Sequence, residues 1–244
     1  MILSTAVLAA GTAWADVPMG AGVVTPAVAP AVDAIKAADY ESALQRLKPL
    51  AEKGDVTAQV WLSQLYTKGQ GVKRDRLTGE TWCLIGLAGI RDPGPPSLSH
   101  WETERACAAA KVGLTAKQAA RAQRTADVWR PADDNGARTY QIYFDFEISN
   151  LTRTAQDVAD AAALNAAFAG ARTVRLVGHA DTAEDDLPGI SQARALAVKA
   201  EMVRMGVSKA TDFTAEGVGS NEPAFPVGPG VREPLDRFVS VTVQ

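Results

Sequence analysis

Asp181 and Arg194 are the residues of this chain whose types and spacing invite chemistry. They lie in GHADTAEDDLPGISQARALAV, residues 178–198. The apolar run TVRLV before Gly178 reads as a strand, and the stretch from Ile190 reads as a helix. An acid therefore stands at a strand end and a base in the first turns of the next helix. Two outcomes fit that spacing. One is an internal salt bridge. The other is a seat for a ligand that carries both charges. Side chains that flank an open cleft would mark the seat, and side chains that close on each other would mark the bridge.

The elements that position this pair belong to a chain of 244 residues, enough for one large domain or two small ones. Its formal net charge of −3 lacks the basic excess of a nucleic-acid binder. MILSTAVLAAGTAWA, residues 1–15, is apolar and ends on the small-x-small pattern of a cleaved signal peptide, although no Lys or Arg precedes it. The run is too short to span a bilayer. No cysteine follows the cleavage point, so nothing points to a lipid anchor. Residues 16–30, rich in Pro, Ala and Val, read as a flexible lead. The mature chain is expected to be exported and soluble. Its two cysteines, Cys83 and Cys107, then suggest a disulfide between two helices, with two buried thiols as the alternative. No histidine lies near either in sequence, which disfavours metal ligation.

From about residue 31 to 130 the apolar period is helical. Asp55 and Thr115 are placed to cap helices, and Gly54, Gly69 and Gly71 to end them. LAEKGDVTAQVWLSQLYTKGQGVKRDRLTGETW, residues 50–82, resembles a Sel-one-like repeat, a relative of the tetratricopeptide hairpin. The positions that carry the likeness are Leu50, Ala51, Gly54, Ala58, Gln59, Leu62, Tyr66, Gly69, Gly71, Val72, Asp75 and Trp82. Ser63 stands where the family has Gly, and Gly79 where it has Ala. One repeat cannot bury both its faces, so the flanking helices 31–37, 97–112 and 115–130 must complete the module. The resemblance implies a scaffold for a protein partner. Trp61, Trp82 and Trp101 read as core.

Pro131, Asp133-Asp134 and Asn135-Gly136 break the period, so residues 131–139 read as a linker. Beyond it the order is β-α-β-α-β-β, which predicts a two-layer α+β domain over 140–244. That second half resembles the OmpA-like C-terminal domain, the peptidoglycan-binding module of Gram-negative envelopes. The carrying residues are Phe144-Asp145-Phe146, Val177 to Asp181, Ile190 to Val198, Gly217 to Pro223, and Val231 to Val241. The resemblance implies that Asp181 and Arg194 together hold diaminopimelate of the wall stem peptide. The chemistry suits them, because the free end of diaminopimelate is an ammonium beside a carboxylate. A carboxylate takes the first, and a guanidinium fork takes the second two-handed. Helix-start amides near Ile190 and Ser191 are expected to add donors for the anion.

This sequence departs from the family pattern in places. The loop between Asp181 and Arg194 is about two residues short and is acidic, with Glu184, Asp185 and Asp186. Leu187 stands where an Asn is usual. Phe238 replaces the second Arg of the closing motif, while Arg237 is kept. Arg232 and Arg237 either rim the pocket or pair with Glu233 and Asp236. His179 is expected to pack at the strand end, with a ligand role as the alternative, and His100 reads as structural. The acidic loop lacks the spaced ligands and turn glycine of a calcium site.

No nucleophile elbow, HExxH, phosphate loop or dinucleotide fingerprint appears, so the reading is non-enzymatic and without cofactors. The chain is expected in the periplasm, associated with the cell wall, with the inner face of the outer membrane as an option. Its expected partners are peptidoglycan and a protein held by the helical module. The alternative is an adaptor whose OmpA-like domain has lost wall binding.

Overall fold

A computed structural model describes residues 24–90, 100–208 and 210–244, with the side chains of residues 100–102, 105 and 106 left out of account. The predicted signal peptide, most of the predicted lead and the Trp101 side chain lie outside this set. Six helices come first: α1 (Ala29–Lys36), α2 (Tyr40–Glu52), α3 (Val56–Lys68), α4 (Arg76–Gly89), α5 (His100–Lys111) and α6 (Ala116–Val128). The chemistry of their starts is local. Asp39, Asp55, Asp75 and Thr115 each accept a backbone N–H from the helix they precede, and Gln118 closes a capping box on Thr115. Val28, in the stretch read as lead, is fully buried beside Ala31, Leu47 and Leu62.

The helical half packs closely where its sequence is small. A Cβ on Gly79 of α4 would come within 2.4 Å of Thr67 Oγ1 and 3.0 Å of the Ser63 carbonyl oxygen on α3. The two departures from the repeat pattern, Ser63 and Gly79, therefore face each other across one helix contact. Cys83 of α4 and Cys107 of α5 are disulfide-bonded, with Cα atoms 5.6 Å apart. Closing a loop of this length is worth roughly 3–4 kcal/mol. Trp82 is buried in the core of this half.

The second half is a mixed four-stranded sheet with two long helices. Its elements are β1 (Arg138–Tyr143), α7 (Arg153–Ala169), β2 (Thr173–Gly178), α8 (Leu187–Arg204), β3 (Asp212–Gly217) and β4 (Phe238–Val243). The strand order is β1-β4-β2-β3. β4 runs antiparallel to both neighbours, and β2 and β3 are parallel, joined through α8. Tyr140, Ile142, Val174, Leu176, Val239, Val241 and Val243 turn one sheet face into the core. Gln141 and Tyr143 alternate outward. On α7, Ala155, Ala159, Ala162, Ala163 and Ala166 form a buried stripe at helical spacing, so the helix lies close on the sheet.

The halves meet along a packed seam. The Trp82 ring lies 4.9 Å from that of Phe168 on α7, centroid to centroid. Asn165 accepts from the Arg130 N–H at 3.2 Å and donates to the Val128 carbonyl at 2.9 Å. Arg138 forms an ion pair with Glu52 and donates to the Arg130 carbonyl. Arg138 and Thr139, read as linker, are the first residues of β1.

Candidate functional site

The site is built at the C-terminal ends of β2 and β3, where α8 begins. Gly178 and Gly217 are register partners at those ends. A Cβ on Gly178 would meet the Ser191 carbonyl oxygen at 2.0 Å, and one on Gly217 would meet the Gln192 nitrogen at 2.3 Å. Only a bare backbone at both positions lets the first turns of α8 press against the strands. That approach carries Arg194 under the loop that follows β2.

Arg194 is fully buried, and all five of its N–H donors have acceptors. Nε donates to the Ile148 carbonyl at 3.0 Å. Nη1 donates to the His179 carbonyl at 3.1 Å and to Glu184 Oε2 at 2.8 Å. Nη2 donates to the Asp145 carbonyl at 3.0 Å and to Glu184 Oε1 at 2.6 Å. Three carbonyls hold the guanidinium in place, and its remaining edge grips one carboxylate two-handed. That carboxylate belongs to Glu184, whose side chain is also fully buried. Glu184 in turn accepts the Glu147 N–H at 2.7 Å and the Asp181 N–H at 3.2 Å.

Asp181 has a different partner. Its Oδ2 takes a hydrogen bond from Arg237 Nη1 at 2.5 Å, and its Oδ1 accepts the Ala183 N–H at 2.8 Å. Arg237 Nε donates to the Phe144 carbonyl at 3.3 Å. The ring of Phe146 lies 3.7 Å from the Arg232 guanidinium carbon and 5.8 Å from that of Arg237. The Phe144 ring faces Arg194 at 5.4 Å. The Phe144-Asp145-Phe146 segment therefore braces the cations with its rings and its carbonyls.

These contacts revise several sequence expectations. Asp181 and Arg194 neither close on each other nor flank an open cleft, because each closes on a third residue. Arg237 pairs with Asp181 rather than with Asp236. Asp236 instead accepts the Phe225 N–H at 2.8 Å. The amide role expected near Ile190 and Ser191 does not hold. Asp186 caps α8 and the helix starts at Leu187, so the Ile190 N–H is already bonded to the Asp186 carbonyl at 2.9 Å. Ser191 is buried one residue further in, its hydroxyl donating to the Pro188 carbonyl and accepting the Gly219 N–H. His179 stacks on Phe238, with centroids 4.1 Å apart and planes 12° from parallel. Burial holds its pKa below the usual imidazole value, against the opposing charges of Glu222 and Asp236.

Glu184 is the residue that sequence reasoning passed over. Three acids in a short loop read only as an acidic departure from the family pattern. Asp185 and Asp186 are exposed, while Glu184 turns inward. One signal was available: D-L-P-G places a cap at Asp186 and a proline in the first turn of α8. That start leaves only six residues between His179 and the cap of α8, which draws Glu184 toward the guanidinium.

Residues 143–237 match the model of the OmpA family, so the α/β half carries an OmpA family domain. Over 113 residues, 43% of its length, the chain is 33% identical to an outer membrane protein of Gluconacetobacter diazotrophicus. That stretch spans 30% of the relative's own length. Among solved structures, the peptidoglycan-associated lipoprotein of Burkholderia pseudomallei is similar over 43% of this chain and 89% of that one, at 21% identity and a TM-score of 0.39. The OmpA-like domain of FopA1 from Francisella tularensis is similar over 44% of this chain and 71% of that one, at 16% identity and a TM-score of 0.39. Among the described residues, no helix is long and apolar enough to cross a membrane.

Proposed function

We propose that this chain is a non-catalytic envelope protein that docks on peptidoglycan. Its OmpA family domain holds the diaminopimelate of a stem peptide between Asp181 and Arg194, while the helical half holds a protein partner. The observation that supports the reading most is the construction around Arg194. Three backbone carbonyls fix the guanidinium so that one edge grips a carboxylate two-handed. A guanidinium held in this way is selective for a planar anion. Asp181 follows β2 beside it and would take the ammonium of the same zwitterion, with Arg237 and His179 at its border. Each charged hydrogen bond contributes only about 1.5–3 kcal/mol, so a single site binds modestly. Retention at the wall then comes from many neighbouring stem peptides. The periplasm, on the wall side of the outer membrane, is the compartment that fits. The likeness of residues 50–82 to a Sel-one-like repeat supports the partner-holding role of the helices.

The test is co-sedimentation of the full chain with purified sacculi, with free diaminopimelate as competitor. Wild type is expected to pellet and to be released by the competitor. Asp181→Ala and Arg194→Ala, checked for folding by circular dichroism, are expected to stay in solution. A second reading, an adaptor whose OmpA-like domain no longer binds the wall, draws on the internal pairs Asp181–Arg237 and Glu184–Arg194. Folded wild type that never pellets would establish it.

A further inference from the structure

We infer that Glu184 is an internal occupant of the carboxylate seat on Arg194, so that any ligand carboxylate must displace it. The inference rests on the wall-binding reading above and sharpens it. It follows from donor arithmetic. A guanidinium offers five N–H groups, and here three go to carbonyls, at Ile148, His179 and Asp145. The remaining two lie on the edge that a ligand carboxylate would use, and both oxygens of Glu184 take them, at 2.8 and 2.6 Å. No donor is left for a second anion. The guanidinium cannot turn to offer another edge without breaking the carbonyl bonds.

The occupant is held from behind as well as in front. The Glu147 and Asp181 N–H groups donate to the Glu184 oxygens that face Arg194. Glu147 and Asp186, on either side of this arrangement, both carry left-handed backbone, with φ of 54° and 44°. Non-glycine residues adopt that conformation at a cost, and at Glu147 the hydrogen bond from its N–H to Glu184 helps to hold it. The second half of the seat is matched in the same way, because Asp181, the acid that would take a ligand ammonium, holds Arg237. The protein thus supplies its own carboxylate and its own cation at the positions a zwitterion would fill.

A ligand that binds only the displaced form has its apparent affinity reduced by the fraction of molecules in that form. Deleting the occupant removes this penalty. Glu184→Ala should therefore bind a diaminopimelate-containing stem peptide and pellet with sacculi at a concentration roughly tenfold lower than wild type. Glu184→Gln, which keeps the shape but loses the charge, should lie between them. Because the variant leaves a buried guanidinium unpaired, a second measurement covers loss of stability. The melting temperature of Glu184→Ala should rise on adding millimolar diaminopimelate or acetate, and that of wild type should not.

Three outcomes separate the two ideas. Tighter binding by Glu184→Ala, or carboxylate rescue of its stability, supports the occupant. Wild type that pellets as well as Glu184→Ala, with no carboxylate rescue, overturns the occupant and leaves wall binding standing. If neither protein pellets and diaminopimelate rescues nothing, the wall-binding reading fails and the occupant fails with it.

Discussion

Arg194 and Arg138 are both buried arginines paired with a glutamate, and they do different work. Every hydrogen-bond partner of Arg194 lies between residues 145 and 184, inside the OmpA family domain. Arg138 instead reaches back to Glu52 on α2 and to the Arg130 carbonyl at the end of the helical half. The first pair closes within one domain. The second fastens two halves together. The environments differ to match. Neither side chain of Arg194–Glu184 touches solvent, whereas Glu52 keeps 15% of its side chain exposed. A buried charge is tolerated only when hydrogen-bonded and paired, so the fully dry pair has more to lose when one member goes.

The largest expected effect sharpens that contrast. Glu184→Ala strands an unpaired guanidinium in a dry site and should lower stability by about 3–5 kcal/mol. Glu52→Ala leaves Arg138 its bond to the Arg130 carbonyl and removes a carboxylate that is itself partly solvated, so its loss should be about 1.5–3 kcal/mol. Urea denaturation of both variants measures the difference. A loss for Glu52→Ala equal to that for Glu184→Ala would break the distinction between a dry seat and a wetter seam. The functional readouts should cross over. Glu52→Ala should leave sacculus binding unchanged while making residues 130–137 more accessible to protease, and Glu184→Ala should do the reverse.

A smaller effect is expected at Asn165, which joins the seam without charge. It is buried on α7 and bridges the Arg130 N–H and the Val128 carbonyl. Asn165→Leu removes two part-buried hydrogen bonds, at a cost of about 0.5–1.5 kcal/mol each. Pairing Asn165→Leu with Glu52→Ala in a double-mutant cycle tests whether the seam acts as one unit. Strict additivity would mean that the two contacts hold the halves independently.

The fold was readable from sequence wherever its causes are local. Asp55 and Thr115 announce their helices because capping depends on neighbours three residues away. The alternating aromatic strand, the Ala-rich stripe of α7 and the cysteine pair are short-range patterns too. The site was readable only in its parts. Asp181 and Arg194 stood out by type and position, yet their partners depend on tertiary register. Arg237 lies 56 residues from Asp181 and meets it only because β4 inserts beside β2. Glu184 is ten residues from Arg194, but its direction depends on where α8 begins. Moving that start from Ile190 back to Leu187 turns the acidic loop into a short tether with one inward residue. The same shift removes Ile190 from the first turn and takes its amide out of play. In each case the partner of a side chain was decided by a register that no local pattern encodes.

The weakest expected effect comes from His179, at the border between seat and strand. Its ring stacks on Phe238, and burial keeps its pKa below the usual imidazole value. The unfolded chain therefore binds a proton on this imidazole at a higher pH than the folded chain does. Stability from the neutral, stacked ring is complete above about pH 6.5. It declines as pH falls through that value and stops declining below the folded pKa. The comparison with Arg194 is instructive, because that cation is welcomed by a carboxylate and three carbonyls, whereas a His179 imidazolium would form on a ring stacked against Phe238. Glu222 and Asp236 partly offset this penalty, so the pH effect should be smaller than either ion-pair deletion. His179→Phe preserves the stack and removes the proton. Its stability relative to wild type should improve between pH 7.5 and pH 5.5 in denaturant titrations. A constant difference across that range would mean that the imidazole is equally free to take its proton in both states. The stack would then contribute packing alone.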